Sequence, residues 1–311
     1  MSYTFSKKRI IVRKSSDAKA MAEVLRKLRS FLDPKEPELI KILVNFWHNQ
    51  GKAITYKEIR EALLAGDVSP ELLEEWMQDY SRFVVEHLQP KWREAIEAGA
   101  ADRVAKYPDW HFNPMSDGIK QWTERRAADF VTSVTDTQIQ AIRAVVQNAA
   151  ALNNLNVDQL ARVIRPMVGL YKEQAEANFR YYTNLIENGM SEKRAKDLSI
   201  RYAARQHRYR AMMIARQELA MAYNTGAHHA VKQAQEAGYM GKMVKVSCCA
   251  DDERVCPICG RDGLDGAIVG IDEEFDIPNR GNYKFTKLHP PYHIQCRCGV
   301  LYKEIEPPSR K

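Results

Sequence analysis

The 311-residue sequence is short of several things that would define a function class. Six cysteines in this length are too few for a disulfide-stapled scaffold. No apolar run approaches the roughly 18–20 residues that cross a bilayer, so no membrane-spanning helix is expected. The opening MSYTFSKKRIIVRKSS is basic but lacks the apolar core of a leader, so no signal peptide is expected either. There is no phosphate-cradling glycine loop, no dinucleotide fingerprint and no G-x-S-x-G elbow. Nucleophilic catalysis therefore has no candidate constellation, and neither enzymatic activity nor a small-molecule substrate is expected. No repeat of fixed period occurs.

What is present is enough apolar residue to bury a core: 45% of the chain is hydrophobic and 28% charged. The length suggests two domains or so. The formal charge of +7 suits a polyanionic partner, whether nucleic acid, an anionic membrane or an acidic protein surface. That charge is unevenly placed. Residues 241–311 carry eleven basic and eleven acidic residues, so the excess belongs to residues 1–240. All six cysteines fall between Cys248 and Cys298, and seven of the fifteen glycines follow residue 240. Such a shift marks a domain boundary near Gly238–Gly241.

Residues 1–240 read as helices. Thr55 and Thr135 each begin a capping-box pattern. Ser69 precedes Pro70 as an N-cap before proline at the first helical position, in a helix that should run toward Ala98 and be kinked or split at Pro90. Asn156 is placed to cap a short helix ending near Arg165-Pro166. A helix from Tyr171 should stop at Asn188-Gly189, and a long one, capped by Ser191, should run to about Gly238. Tyr107–Gly118 is turn-rich and reads as a linker. Beyond Met243 helical periodicity fades, and short strands are expected at Met243–Val246, Ala267–Ile271 and Cys298–Tyr302. The expected architecture is mainly α: an elongated helical body with a small, zinc-stabilised C-terminal α+β module. The expected divisions are 1–114 (with a flexible basic arm at 1–16 containing Lys7, Lys8, Arg9, Arg13 and Lys14), 115–240 and 241–311.

The strongest chemical pattern is Cys256-Pro-Ile-Cys259 followed by His293-Ile-Gln-Cys296-Arg-Cys298. Two thiolates at C-x2-C spacing reach one ion from a tight turn, and a second pair completes a tetrahedron, the geometry of structural zinc. Gly260 would allow the close turn. The candidate ligands are Cys256, Cys259, His293 and Cys296, with Cys298 as the alternative fourth, since alternate residues of a strand face one side. The plainer alternative is a set of reduced, unliganded core cysteines. Cys248-Cys249 lies outside the pattern and reads as packing behind the site. Four protein ligands, two or three of them thiolates, point to a closed structural site rather than a catalytic one. Zinc there would contribute roughly 10–16 kcal/mol of apparent binding energy to folding.

The last hundred or so residues resemble the Mu F-like minor head proteins of tailed bacteriophages, also called head morphogenesis proteins. The resemblance rests on Ile214-Ala215-Arg216-Gln217-Glu218 followed by Asn224, on Asp252-Glu253-Arg254-Val255-Cys256-Pro257-Ile258-Cys259, on Leu264-Asp265-Gly266, and on Pro290-Pro291-Tyr292-His293-Ile294-Gln295-Cys296-Arg297-Cys298. It covers about residues 170–302 and leaves residues 1–115 without a motif. Gln217 stands where the family usually has Thr, and Ile294 where it has Pro or a small residue; neither change removes a ligand. The resemblance implies a structural component of the virion or procapsid, present in few copies. It implies association with the portal vertex or capsid protein, a part in head assembly and in genome ejection, and a place in the host cytoplasm during assembly.

Lys193–Arg216 holds eight basic residues and one acid, an excess equal to that of the whole chain. Lys193, Arg194, Lys196, Arg201, Arg208 and Arg210 are the candidate contacts to packaged DNA or to an acidic portal surface; a merely solvated face is the alternative. Arg216 shares a stripe with apolar residues and is expected to be tied structurally, with Glu218 as its sequence neighbour. His207, in a run of arginines, is expected to face solvent. Two competing readings remain: a zinc-stabilised DNA-binding protein, and a His-Asn-His-like nuclease with His289 as base. The nuclease reading lacks the expected dyad before its core, because the local sequence is Leu288-His289-Pro290.

Overall fold

A computed structural model describes residues 15–150, 157–249, 255–260, 263–277 and 285–308. The protein is mainly α with a small C-terminal sheet region. The helices are α1 (Ser15–Ala53), α2 (Tyr56–Ala65), α3 (Pro70–Phe83), α4 (Gln89–Val104), α5 (Asp117–Ala150), α6 (Val157–Ile164), α7 (Lys172–Glu187) and α8 (Glu192–Glu236). Most of the basic arm, Asn156 and Asp252–Arg254 lie outside the described residues.

Local signals set several boundaries. Thr55 forms the capping box of α2: its Oγ1 accepts from the Glu58 amide at 3.2 Å, and the Glu58 carboxylate accepts from the Thr55 amide at 2.6 Å. Ser69 Oγ accepts from the Leu72 amide at the start of α3. Pro90 does interrupt the helix that Ser69 begins, and the interruption takes the form of a π-helical turn over Val84–Leu88. That turn absorbs the amide that proline lacks, so the chain continues into α4. Thr135 is a correction: it sits buried inside α5 and starts nothing. The buried stripe Val134, Gln138, Ala141, Ile142 and Val145 keeps α5 continuous, and a capping pattern inside such a stripe carries no boundary.

The chain forms two compact units built from alternating segments. One comprises the described residues up to Glu36, Lys91–Trp122 and Arg216 onward; the other comprises Pro37–Pro90 and Thr123–Ala215. Among the described residues, the regular elements of the second unit are all helices. Its core gathers Trp76, Val145, Leu160, Ile164, Phe179 and Tyr182. In the first unit α4 and α8 cross at glycines. A Cβ on Gly99 would collide with the Tyr223 carbonyl, and one on Gly226 with the Ile96 carbonyl, so the two backbones touch where no side chain fits.

The sheet of the first unit is antiparallel, with β1 (Lys242–Cys248) between β2 (Ile268–Gly270) and β5 (Gly299–Glu306). A separate ribbon pairs β3 (Phe275–Ile277) with β4 (Phe285–Lys287). The register sets Cys248 opposite Gly299 and Val246 opposite both Leu301 and Ile268. A buried lysine ties the loops to β1: Lys245 Nζ donates to the carbonyls of Glu273 (2.6 Å) and Leu288 (2.7 Å). Below the sheet, Val231 and Ala234 of α8 share a core with Leu264, Phe275, Tyr292 and Val300.

Candidate metal centre

Two turns present the donors. In the first, the Cys259 and Gly260 amides both donate to the Cys256 carbonyl (3.1 and 2.9 Å), folding the C-x2-C segment so that both sulfurs face one way. Gly260 is not sterically required there, because a Cβ would only reach ordinary contact with that carbonyl. The close approach falls instead at Gly263, packed on the Ile258 carbonyl. The second turn runs His293–Cys296, closed by the Cys296 amide donating to the His293 carbonyl at 3.1 Å. Gln295 takes φ 62° there, a left-handed conformation that swings Cys296 back beside His293.

His293 Nε2 stands 3.1 Å from Cys256 Sγ and 3.0 Å from Cys259 Sγ, and Cys259 Sγ is 3.9 Å from Cys296 Sγ. The other ring nitrogen, Nδ1, lies 2.7 Å from the Ile294 carbonyl. Donation from Nδ1 to that carbonyl leaves the Nε2 lone pair directed at the thiols, the orientation a metal-bound histidine needs. Cys256, Cys259 and His293 thus come together on the spacing that zinc and other soft-ligand ions take, and Cys296 stands beside Cys259. Cys259 and Cys296 are buried, and Cys256 is partly exposed.

The vicinal pair departs from its expected role. Cys249 is part of the cluster: its sulfur lies within 4.8 Å of those of Cys259 and Cys298, while Cys256, Cys259 and His293 form a second such triad. Pairing of β1 with β5 carries Cys249 alongside Cys298, a placement no sequence spacing reveals. Cys248, one residue earlier, points away and bonds the Val246 carbonyl; burial pushes its thiol up to about 12. Within the cluster Cys249 is drawn down to about 6 by hydrogen bonds from Cys259 and Cys298. Cys259 also falls to about 6; Cys249 opposes that fall, and Cys296, Cys298 and His293 produce it. Contact with Cys249, Cys259 and Cys296 holds the Cys298 thiol far above its ordinary range. His293 is raised to about 9 by Cys259. Crowded thiols that cannot all ionise together are the environment a bound cation relieves.

The other singled-out residues separate by surroundings. Lys193, Arg194, Arg201 and Arg208 are exposed on the first half of α8 with Arg205, and Lys196 is half-buried. Arg210 departs from that group. It is buried under Trp47 and Tyr171, its guanidinium carbon 5.1 and 4.2 Å from the two ring centroids, and it donates to the Gly169 carbonyl. The buried positions Ala203, Ala211 and Ile214 share its side of α8, which is why a residue from a basic run ends in the core. His207 also differs from expectation: it stacks on Trp47 at 5.7 Å and its Nε2 meets the Val168 carbonyl at 2.8 Å.

Arg216 is tied structurally, but to Glu36 of α1. The pair is bidentate, with Nε and Nη2 donating to the two carboxylate oxygens at 2.9 and 2.8 Å. Glu218 is buried two residues along α8, and side chains at that spacing do not face each other. His289 has both ring nitrogens engaged, Nδ1 near the Pro290 carbonyl (2.8 Å) and Nε2 near Thr225 Oγ1 (3.3 Å).

A family model for phage Mu protein F like protein matches residues 140–301, more than half of the chain. No curated protein and no solved structure matches.

Proposed function

The chain belongs to the phage Mu protein F-like family, a family of structural head proteins, and on that premise we propose that it is a minor head protein acting in head morphogenesis at the portal vertex of a tailed phage. The observation that carries this reading is the span of the match, which takes in both the basic half of α8 and the whole cysteine cluster. In this reading zinc held by Cys256, Cys259, His293 and Cys296 closes the C-terminal module and does no chemistry. The exposed face of Lys193, Arg194, Arg201, Arg205 and Arg208 contacts packaged DNA or an acidic surface of the portal or capsid protein, and serves again in genome ejection. Lys193 to Arg208 extends about 22 Å along the helix, enough to meet several phosphates. The protein works in the virion, after a period in the host cytoplasm.

Purified heads test the reading. The protein should co-purify with assembled particles, and a protein found only free in infected cells would contradict it. The combined Arg201→Glu, Arg205→Glu and Arg208→Glu variant should lower retention in heads. If DNA is the partner, log K for duplex binding should fall with log salt, and in that variant the slope should shrink by about one for each phosphate no longer neutralised. A salt-independent affinity would exclude DNA and leave the protein partner.

A further inference from the structure

Six soft donors crowd one small volume, and one tetrahedral ion uses four. The four are Cys256, Cys259, His293 and Cys296; Cys249 and Cys298 are left over. Both leftover thiols are buried, and both contact Cys259, which belongs to each of the two donor triads. Each triad offers three of the four donors of a tetrahedral ion, and the two triads meet at Cys259. We propose that the cluster is a binuclear, thiolate-bridged centre for two zinc-like ions, with Cys259 as the bridging thiolate. The inference rests on the reading of this module as a metal centre and goes beyond it in number and connectivity.

One ion takes Cys256 and His293 at its outer corners, and the second takes Cys249 and Cys298. Cys296 stands beside the bridging thiolate at a distance suited to one metal. Thiolates on one zinc, each about 2.3 Å from the metal, stand about 3.8 Å apart; Cys259 and Cys296 are 3.9 Å apart. The β1–β5 pairing supplies the second pair of corners, so that ion would cross-link the end of β1 to the start of β5.

The test is metal stoichiometry of the full chain, stripped under reducing conditions, titrated with Zn²⁺ and weighed by native mass spectrometry. Two ions per chain are expected. Cys249→Ser and Cys298→Ser should each retain one ion, and Cys256→Ser should also retain one. Cadmium loading gives a second readout that requires no variant to fold: two ¹¹³Cd resonances, both in the thiolate-rich range, are expected from the wild-type chain. One ion and one resonance, unchanged in Cys249→Ser, would overturn the binuclear centre and leave the mononuclear one standing. No bound ion would overturn both.

Discussion

Arg216 and Glu36 show how much a single side chain depends on its partner. The pair is largely withdrawn from water, and each member would be stranded by loss of the other. Arg216→Met or Glu36→Leu alone should destabilise by about 1–3 kcal/mol, while the double variant should recover part of that loss. A double-mutant cycle from urea midpoints measures the coupling, and strictly additive losses would show that the two groups act separately. The crossing glycines make a sharper case. Gly99→Ala or Gly226→Ala must push two helical backbones apart, which should cost about 1–3 kcal/mol or more despite the better helix propensity of alanine. An unchanged melting temperature would contradict the tight crossing. Neither feature is legible in the sequence. Arg216 stands out there as a charge on an apolar stripe, but nothing points to residue 36, because the two are distant in the chain.

At the scale of elements, α8 carries a half-buried histidine in its first half and a buried one in its second. His207 is held down to about 4 by burial, and His228, in the second half of the helix, is pushed lower still by burial with help from His289. His289 is itself lowered to about 4 by burial. Each is neutral when folded, whereas the unfolded chain takes up a proton near pH 6.5. Their contribution is therefore complete above about pH 6.5 and is lost as pH falls toward about 4, on the order of 1.4 kcal/mol per histidine per pH unit in that window. Urea midpoints should fall between pH 7 and pH 5, less steeply in His207→Gln; a flat profile would contradict the neutral burial. Element boundaries are legible in the sequence where the signal is local, as at Thr55 and Ser69, whose hydroxyls cap their own helices. They are not legible where packing decides, as at Thr135, or where strand register decides, as for Cys249. The C-x2-C and H-x2-C turns are legible because each donor pair is closed within one turn.

For the whole molecule, two of the cores divide the consequences of metal loss. Every residue in the core around the cysteine cluster that comes from α8 lies between Ala227 and Ala234, and its other members come from the linker and the strands and turns from Met240 onward. The core of Trp76, Val145 and Phe179 draws on none of those segments. If the ion supplies about 10–16 kcal/mol of apparent binding energy, its removal should exceed what the small sheet contributes without it. Chelation should therefore abolish hydrogen-exchange protection over β1, β5 and the last turns of α8. Protection of α2, α6 and α7 should persist, and most of the helical far-UV signal with it. Acid should act in the same direction, because His293 and the thiols must shed protons to bind a metal. Uniform loss of protection across both cores on chelation would show that the centre stabilises the entire chain, and protection that survives chelation everywhere would show that the cysteines stabilise as packed thiols alone.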